Sequence, residues 1–333
     1  MVVVRASNFS ANNHQGWYKD NMSLSHLGLC CEWIEPITKK SGKVEIKNTL
    51  DQKSLQLGRW RDGKYTEEQV RNVYLHNARS LRDNLDKIGA AGFRLFRVSS
   101  SMFSLSDQVP REWWDNDRVK RVLQQAGDVA RKWGMRLTTH PGQFCVISSD
   151  SDSVVAKSIV ELEHHAWIFD TMGLPLSAHA AINIHGGKSD RESRLIEIIN
   201  TLPVNVKSRL TLENDESSYD TMQLVNVAKS TGISVVFDSH HHVFNTGDVS
   251  LDYAMHAAMD TWSSDIRPLQ HLSNTDPALV NGSFTDRRKH SDFVHYVPDE
   301  QLRLLRAGNV DVECEFKMKN LAIFKMVKDF ALV

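Results

Sequence analysis

Histidine and carboxylate side chains recur in this sequence at the ends of short β-rich runs. These runs are RLTTH (136–140), AAINIHGG (180–187), RLTLEN (209–214), SVVFDSH (234–240), RPLQHLSN (267–274) and VDVECEF (310–316). Imidazoles and carboxylates are common protein ligands of divalent metal ions. Their repetition at strand ends therefore points to a metal site that several strands build together.

The alternation of side chains along a strand indicates which of these residues share a side. The isoleucines of INIH take one side and leave His185 on the other, and the leucines of LTLE do the same for Glu213. The side chains expected to point inward from the strand ends are His140, His185, Glu213, Asp238, His271 and Glu315. His241 follows Asp238 by three residues, within reach of the same site.

Such a ring of buried polar groups needs compensation, because an unpaired buried charge costs several kcal/mol. Divalent cations compensate three carboxylates and several histidines best, and mixed ligation of this kind suits Mn, Fe or Zn better than calcium. A single inward histidine is more often an ordinary core residue, whereas the joint pattern at six strand ends favours metal binding. His240 and His242 are expected either to support the ligands, to face substrate or to be exposed.

The elements that carry these residues alternate between strands and helices. SHLGLCC (25–31) and FRLFRVSS (93–100) bring the predicted strands to eight, and helical periodicity is clearest over 67–89, 117–134 and 153–173. Alternation of this kind implies parallel pairing, and eight units favour a (β/α)8 TIM barrel, an α/β fold whose sites lie at the C-terminal ends of the strands. No G-x-G-x-x-G follows the first strand, which argues against a dinucleotide-binding fold.

We predict one barrel domain over residues 1–333. The polar, lysine-rich stretch 35–64 is predicted to be a long loop after the first strand. On the catalytic face it would either touch substrate or form a solvated insertion.

The composition is that of an ordinary globular chain, with 41% hydrophobic and 24% charged residues. The formal charge of −1 excludes a global positive field, so a nucleic acid would have to bind through a local basic patch or bound cations. Cys30, Cys31, Cys145 and Cys314 are too few for a disulfide framework and are expected to be free thiols. Residues 1–15 lack the apolar core of a signal peptide, and we expect a cytoplasmic monomer without a membrane partner.

A set of motifs resembles the UV damage endonuclease family. In chain order they are LGLCCE (27–32), FRLFRVSSSMF (93–103), RLTTHPGQF (136–144), VAKSIVELEHHA (155–166), INIHGG (182–187), RLTLENDE (209–216), VVFDSHHH (235–242), KHSD (289–292) and VECEFKMK (312–319). Each string is weak alone, but H-P-G-Q, L-E-N-D and D-x-x-H-H in this order are specific as a set. The resemblance covers nearly the whole chain.

The resemblance implies a barrel with a groove that holds up to three divalent ions, usually Mn²⁺, with Zn²⁺ or Mg²⁺ as alternatives. The substrate would be double-stranded DNA with UV lesions, nicked immediately 5′ to the photoproduct to leave a 3′-hydroxyl. The implied metal ligands are His140, His185, Glu213, Asp238, His241, His271 and Glu315, and of these Glu213, His271 and Glu315 are expected to take part in catalysis. The expected DNA-binding residues are Gln143, Phe144, Arg287, Arg288, Lys289, His290 and Lys317.

Gln143 and Phe144 match the pair that the family inserts into the duplex at the damage, a task that suits a planar aromatic with an amide neighbour. The basic residues around Arg287 would grip the phosphate backbone or form a solvated surface. Bound ions would coordinate the phosphate, activate a water molecule and stabilise the leaving 3′-oxygen.

The sequence departs from the family pattern at three positions. Leu269 stands where members commonly carry a lysine that becomes a metal-bridging carbamate, and Asp107 and Gln108 fall where a further histidine is common. Leu29 replaces a first-strand aromatic that often contacts the lesion. The chain is therefore expected to bind either two or three ions, with Asp107 or Glu313 as substitute ligands.

Two other functions stay open at this point. One is another metal-dependent enzyme of the same superfamily, such as an abasic-site endonuclease or a sugar isomerase, because fold and metal cluster do not separate these activities. The other is a non-catalytic relative that binds damaged DNA without nicking it.

Overall fold

The computed structural model describes residues 22–332. Within that range the chain forms ten strands: β1 (Leu27–Cys30), β2 (Ile34–Thr38), β3 (Val44–Asn48), β4 (Leu95–Val98), β5 (Arg136–Thr139), β6 (Ile182–His185), β7 (Leu210–Glu213), β8 (Ser234–Asp238), β9 (Leu269–Leu272) and β10 (Asp311–Cys314). Twelve α-helices accompany them: α1 (Leu57–Arg61), α2 (Glu67–Ala90), α3 (Asp117–Lys132), α4 (Asp152–Thr171), α5 (Glu192–Thr201), α6 (Val204–Lys207), α7 (Thr221–Thr231), α8 (Ser239–Phe244), α9 (Leu251–Met259), α10 (Phe284–Arg287), α11 (Asp299–Arg306) and α12 (Lys319–Asp329).

Eight strands close a parallel barrel in the order β1-β10-β9-β8-β7-β6-β5-β4. Each barrel strand is followed by at least one helix, and for every strand before β10 the helices return the chain to the N-terminal end of the next barrel strand. All eight strands predicted from the sequence are present, and the expected (β/α)8 fold is confirmed.

Local sequence signals explain where several helices begin and end. Thr66 and Gln69 form a capping box at the start of α2, and Asp220 and Gln223 form another at the start of α7. Gly232 ends α7 in the left-handed conformation, with φ of 77°.

The stretch after β1 is not the irregular loop that its polar composition predicted. Strands β2 and β3 pair as an antiparallel hairpin, and α1 follows. The missed signal is Gly42, whose φ of 78° turns the chain between two short runs with β-branched residues. At the base of the hairpin, the Trp33 ring packs edge-on against Phe93 and Phe324. The base of this insertion therefore packs on the outside of the barrel.

The inside of the barrel is apolar below its polar end. A small apolar cluster lies here and contains Leu95, Ala181, Val236, Trp262 and Leu269. Three of its members, Leu95, Val236 and Leu269, each come two residues before an inward polar residue. Strand β1 contributes Gly28 here, where a Cβ atom would lie only 2.6 Å from Leu95 Cδ2. The lumen is therefore filled by side chains, as in other TIM barrels.

The expectation for residues 1–15 lies outside the described part of the chain. Between residues 22 and 332, no helix combines the length and the apolar character needed to cross a membrane.

Candidate metal centre

The predicted ligands converge at the C-terminal end of the barrel. Among the described residues, three groups have ligand atoms within 4.8 Å of one another: His140, His185 and Glu213; Glu213, Asp238 and His241; and Asp238, His271 and Glu315. Glu213 belongs to two groups, as does Asp238. The structure therefore brings together all seven residues that the sequence nominated as ligands.

Glu213 lies at the centre of the cluster, at the end of β7. Its Oε2 atom is 3.1 Å from His140 Nε2 and accepts a 2.5 Å hydrogen bond from Asn183. Its Oε1 atom is 3.1 Å from His271 Nδ1 and 3.2 Å from His241 Nδ1. Glu213 is only 1% exposed. The contacts with Asn183 and the three histidines fix the orientation of its buried carboxylate.

Asp238 ends β8 and starts α8. Its Oδ1 atom accepts hydrogen bonds from the amides of His240 and His241, at 2.7 and 2.8 Å, and so caps the helix. His241 Nδ1 lies 2.9 Å from the carbonyl oxygen of Asn214. The D-x-x-H spacing thus lets one aspartate both offer a ligand atom and place the histidine beside it.

Two glycines follow His185 for steric reasons. A Cβ atom on Gly186 would lie 2.3 Å from the Tyr219 ring, and Gly187 has a φ of 88°. A side chain on Gly187 would also lie 2.6 Å from Ser148 Oγ, which accepts a 2.7 Å hydrogen bond from the Lys188 amide. The H-G-G sequence therefore lets neighbouring loops approach the strand end closely.

Arg97 and Glu313 support the cluster from inside the barrel. Arg97 Nε donates a 2.6 Å hydrogen bond to Glu313, and its Nη2 atom donates to Glu315. Glu313 Oε2 is 3.0 Å from His271 Nε2, and its other oxygen accepts a hydrogen bond from Thr138. Because Glu313 is already held by these three neighbours, it supports His271 in this arrangement.

Several metal-competent atoms of the cluster lack other partners. His185 Nδ1, Asp238 Oδ2 and His271 Nδ1 are buried and make no hydrogen bond of good geometry within residues 22–332. Buried polar atoms are nearly always satisfied, so orphaned donors and acceptors at one place call for a binding partner. Asp238 and His271 belong to one candidate group and His185 to another, and imidazole nitrogens with carboxylate oxygens are donors that suit divalent transition-metal ions.

Burial and charge oppose each other throughout this cluster. Burial lowers the pKa of His271, but the Glu213 and Glu313 carboxylates together outweigh it and raise that pKa to about 10. Burial raises the pKa of Glu313, but Arg97, His271 and Thr138 together outweigh it and lower that pKa to about 2. The positively charged side chains of Arg97 and His271 thus favour the ionised form of the Glu313 carboxylate.

The three departures from the family pattern lie at different depths. Leu269 is buried in the apolar lower layer of the lumen, two residues below His271. Leu29 pairs with Phe96 and Cys314, on the side of the sheet opposite Arg97 and Glu313, and therefore faces the helices. Leu29 is fully buried in this position and makes no surface available to a lesion. Asp107 is exposed, and its carboxylate accepts a 2.5 Å hydrogen bond from Gln108.

Three further histidines, His240, His242 and His290, lie near the candidate metal centre. His240 and His242 are both buried, so exposure, one of the three roles considered for them, does not apply. The His240 ring packs against Phe244, and His290 Nδ1 lies 3.7 Å from Glu315 Oε2. His290, nominated for DNA contact, therefore lies at the edge of the carboxylate cluster.

The nominated DNA-binding residues lie in the segments that follow the ends of β5, β9 and β10. Phe144 is 81% exposed and Gln143 is also exposed, on the loop after β5. The Arg287 guanidinium lies over the Phe244 ring, 5.5 Å from its centroid. Arg288 donates to Glu216, and Lys289 pairs with Asp286. Lys317, also nominated, is exposed just beyond Glu315.

The sequence model of the family described as UV-endonuclease UvdE matches residues 30–333. The chain belongs to this family. The UV DNA damage endonuclease of Nostoc sp. is 40% identical over 263 residues, which span 77% of this chain and 78% of the relative. That of Deinococcus radiodurans is 30% identical over 317 residues, or 92% and 97% of the two chains. The expected UV damage endonuclease function, and with it endonuclease activity, is thereby confirmed.

Solved structures agree with this UvdE assignment. The crystal structure of SacUVDE superposes with a TM-score of 0.74 at 26% identity and covers 92% of this chain and 99% of its own. Endonuclease IV from Thermus thermophilus reaches a TM-score of 0.53 at 14% identity, covering 75% of this chain and 93% of its own. The second likeness shows the shared barrel fold alone.

Arg97 was missed as a functional residue, although a signal for it was present. It shares the parity of Leu95 in β4 and so had to point into the lumen. An arginine at the inward end of a barrel strand predicts carboxylate partners, and Glu313 and Glu315 are those partners here.

Proposed function

We propose that this UvdE-family protein nicks double-stranded DNA immediately 5′ to UV photoproducts by metal-dependent hydrolysis. The observation that carries the proposal is the convergence of seven metal-competent residues at one end of the barrel, where several buried ligand atoms make no hydrogen bond of good geometry with the described residues. We further propose a single barrel domain that acts as a monomer.

The proposed ligands are His140, His185, Glu213, Asp238, His241, His271 and Glu315. A bound divalent ion would supply a Lewis acid for the phosphate and lower the pKa of a bound water molecule. Mixed nitrogen and oxygen donors favour Mn²⁺, with Zn²⁺ or Mg²⁺ as alternatives, and the overlapping groups allow two or three ions. Of the ligands, Glu213, His271 and Glu315 are proposed to take part directly in catalysis.

The protein's own part in the reaction is to orient these ligands. Glu313 would hold the proton of His271 at Nε2 and leave Nδ1 free for ligation. Arg97 places a fixed positive charge beside Glu315 and so keeps this carboxylate ionised and oriented. Asp238 orients His241 through the first turn of α8.

DNA would bind across the loops at the same end of the barrel. Gln143 and Phe144 are proposed to enter the duplex at the lesion, where the base pairs are already weakened and unstacking costs least. Arg287, Arg288, Lys289, His290 and Lys317 are proposed to contact the phosphate backbone. Local positive charge on these loops would serve this purpose although the formal charge of the chain is −1.

The deciding experiment is nicking of supercoiled plasmid DNA in the presence of Mn²⁺. UV-irradiated plasmid should be relaxed, unirradiated plasmid should not, and Glu213→Gln should abolish relaxation. Circular dichroism of Glu213→Gln serves as the folding control. Mapping the nick by primer extension should place it directly 5′ to the photoproduct.

Other outcomes assign the alternative functions. Relaxation of plasmid that contains abasic sites, without relaxation of irradiated plasmid, would replace the proposal with abasic-site cleavage. Selective binding of irradiated DNA with no nicking in Mn²⁺, Zn²⁺ or Mg²⁺ would show a non-catalytic binder. Neither selective binding nor nicking of irradiated DNA would overturn the proposal and turn attention to a sugar substrate.

A further inference from the structure

Helix α4 holds the loop that carries Gln143 and Phe144 at two points. The Gly142 amide donates a 3.0 Å hydrogen bond to Glu161 Oε1, and the Val146 amide donates a 2.9 Å hydrogen bond to Ser158 Oγ. Ser158 and Glu161 are three residues apart, so they project from the same face of the helix. The two anchored amides bracket residues 143–145.

Between these anchors the chain makes a β-turn. The Cys145 amide donates a 2.9 Å hydrogen bond to the carbonyl oxygen of Gly142, which puts Gln143 and Phe144 at the two corner positions. Pro141 and Cys145, on either side, are buried, as is Ile147. The turn is therefore fixed at both ends, and only its corner projects.

The projecting corner carries a large apolar side chain that the fold leaves in solvent. Phe144 is 81% exposed, the highest value among the large exposed hydrophobic side chains of the described chain. A free loop would gain by folding such a ring onto the surface, because removing the apolar area of a phenylalanine side chain from water is favourable. A turn that is held at both ends opposes that collapse.

Glu161 is suited to this task because of its surroundings. Its pKa is raised by partial burial, although the hydrogen bond from Gly142 opposes the rise, and Asp107 adds to it. The Glu161 carboxylate is only partly accessible to solvent, and one of its oxygens accepts the hydrogen bond from the Gly142 amide. Ser158 is fully buried, and its hydroxyl donates to the Val154 carbonyl while it accepts from Val146.

We propose that Ser158 and Glu161 are positioning residues that hold Gln143 and Phe144 ready to enter damaged DNA, and so set the preference for damaged over intact duplex. Pre-organisation lowers the conformational entropy lost on binding, so its removal weakens damage recognition. The contact of Gln143 and Phe144 with damaged DNA rests on the function proposed above. The anchoring of the turn rests only on the hydrogen bonds from Gly142 and Val146.

The test uses Glu161→Ala, Glu161→Gln and Ser158→Ala in the full chain, with Glu163→Ala as the matched control, since Glu163 is exposed on the same helix. Hydrogen–deuterium exchange of the peptide that spans 140–147 reports the anchoring without any substrate. We expect exchange to be about tenfold faster in Glu161→Ala and Ser158→Ala. Glu161→Gln retains a carbonyl acceptor and should restore protection. Unchanged exchange in both alanine variants would overturn the anchoring, whatever the enzyme does.

Nicking kinetics then test the role in recognition. For Glu161→Ala, kcat/KM on irradiated DNA should fall about tenfold, mainly through KM, and the ratio of irradiated to unirradiated nicking should fall with it. Glu161→Gln should recover both, and bound Mn²⁺ measured by atomic emission should match the wild type in every variant. Faster exchange with an unchanged damage preference would overturn the role in recognition. If the wild type does not nick irradiated DNA, the proposed function fails, and the exchange result still decides the anchoring.

Discussion

Glu313 Oε2 lies 3.0 Å from His271 Nε2, while Nδ1 of the same ring lies 3.1 Å from Glu213 Oε1. The two ring nitrogens therefore face two different carboxylates. Glu213 belongs to the candidate metal groups, whereas Glu313 is bound to Arg97 and Thr138 below them. This is the arrangement in which an outer carboxylate fixes the tautomer of a metal-ligating histidine.

Glu313→Gln should therefore weaken metal binding. Loss of such an outer partner costs roughly 10–100-fold in metal affinity, because the imidazole loses its fixed orientation and becomes less basic. Titration calorimetry with Mn²⁺ measures the change, with Glu163→Gln on the exposed face of α4 as control. An affinity within about twofold of the wild type would show that Glu313 does not act through His271.

The sequence was sufficient to predict the barrel and the convergence of the candidate ligands, because both follow from side-chain parity. Inward residues of parallel strands must meet at the same end, so Glu213, Asp238 and Glu315 could be grouped without coordinates. Side-chain parity does not show how deep in the lumen an inward residue lies. Leu269 shares the parity of His271 and yet lies in the apolar layer beneath it.

Contacts between distant segments were also beyond prediction. The hairpin of β2 and β3 is stabilised at its base by Trp33 against Phe93 and Phe324, which no local pattern indicates. Likewise, Glu161 and Gly142 are 19 residues apart, and only the folded chain shows that their atoms meet. Resemblance to a family supplied roles for residues, but only the strand register shows that Leu29 faces the helices and not the lumen.

Phe144→Ala should reduce damage recognition without affecting the metal centre. The side chain is 81% exposed and contributes little to folding, so its loss removes only the ring that would enter the duplex. Loss of one base–aromatic contact is worth about 1–3 kcal/mol, or roughly 5–150-fold in affinity for irradiated DNA. Fluorescence anisotropy with irradiated and intact duplexes measures this.

Val204→Ala is the matched control for Phe144→Ala. Val204 is similarly exposed at 79%, but it begins α6, which leads into the N-terminal end of β7 on the opposite side of the barrel. Its substitution should leave the affinity for both duplexes unchanged. Equal effects of the two substitutions, or none from Phe144→Ala, would exclude Phe144 from the DNA interface.

Arg287→Gln should make DNA binding less sensitive to salt. Arg288 and Lys289 each pair with a carboxylate, whereas the guanidinium of Arg287 lies over the Phe244 ring, where it keeps its charge for a phosphate. Loss of one phosphate contact should reduce the slope of log K against log salt by about 1. Arg306→Gln, at the C-terminal end of α11 and hence on the opposite face, should leave the slope unchanged. A slope equal to that of the wild type in Arg287→Gln would remove Arg287 from the proposed contacts.

Asp311→Asn should destabilise the barrel at its N-terminal end. Asp311 Oδ2 lies 2.9 Å from Arg136 Nη1, and Oδ1 lies 3.0 Å from His26 Nδ1 and 3.2 Å from Arg267 Nη1. Arg136 is almost fully buried, so removal of the negative charge takes away the ion-pair partner of its guanidinium. Breaking a buried pair in this way costs about 3–5 kcal/mol of the free energy of unfolding, measured by urea titration at about pH 7. Asp128→Asn, at an exposed pair with Arg131, should change it by about 1 kcal/mol or less.

The stability difference between the wild type and Asp311→Asn should depend on pH in one direction. Burial raises the pKa of Asp311, but the hydrogen bond with His26 and the charge of Arg136 outweigh it, and the folded pKa lies below the ordinary value. The unfolded chain therefore binds the proton more tightly, so the stability supplied by this carboxylate is complete above the unfolded pKa of about 3.9. It is lost as the pH falls through the folded pKa. Urea titrations should show a constant difference between about pH 7 and about pH 5, which shrinks below about pH 4. A difference that grows as the pH falls would contradict this assignment.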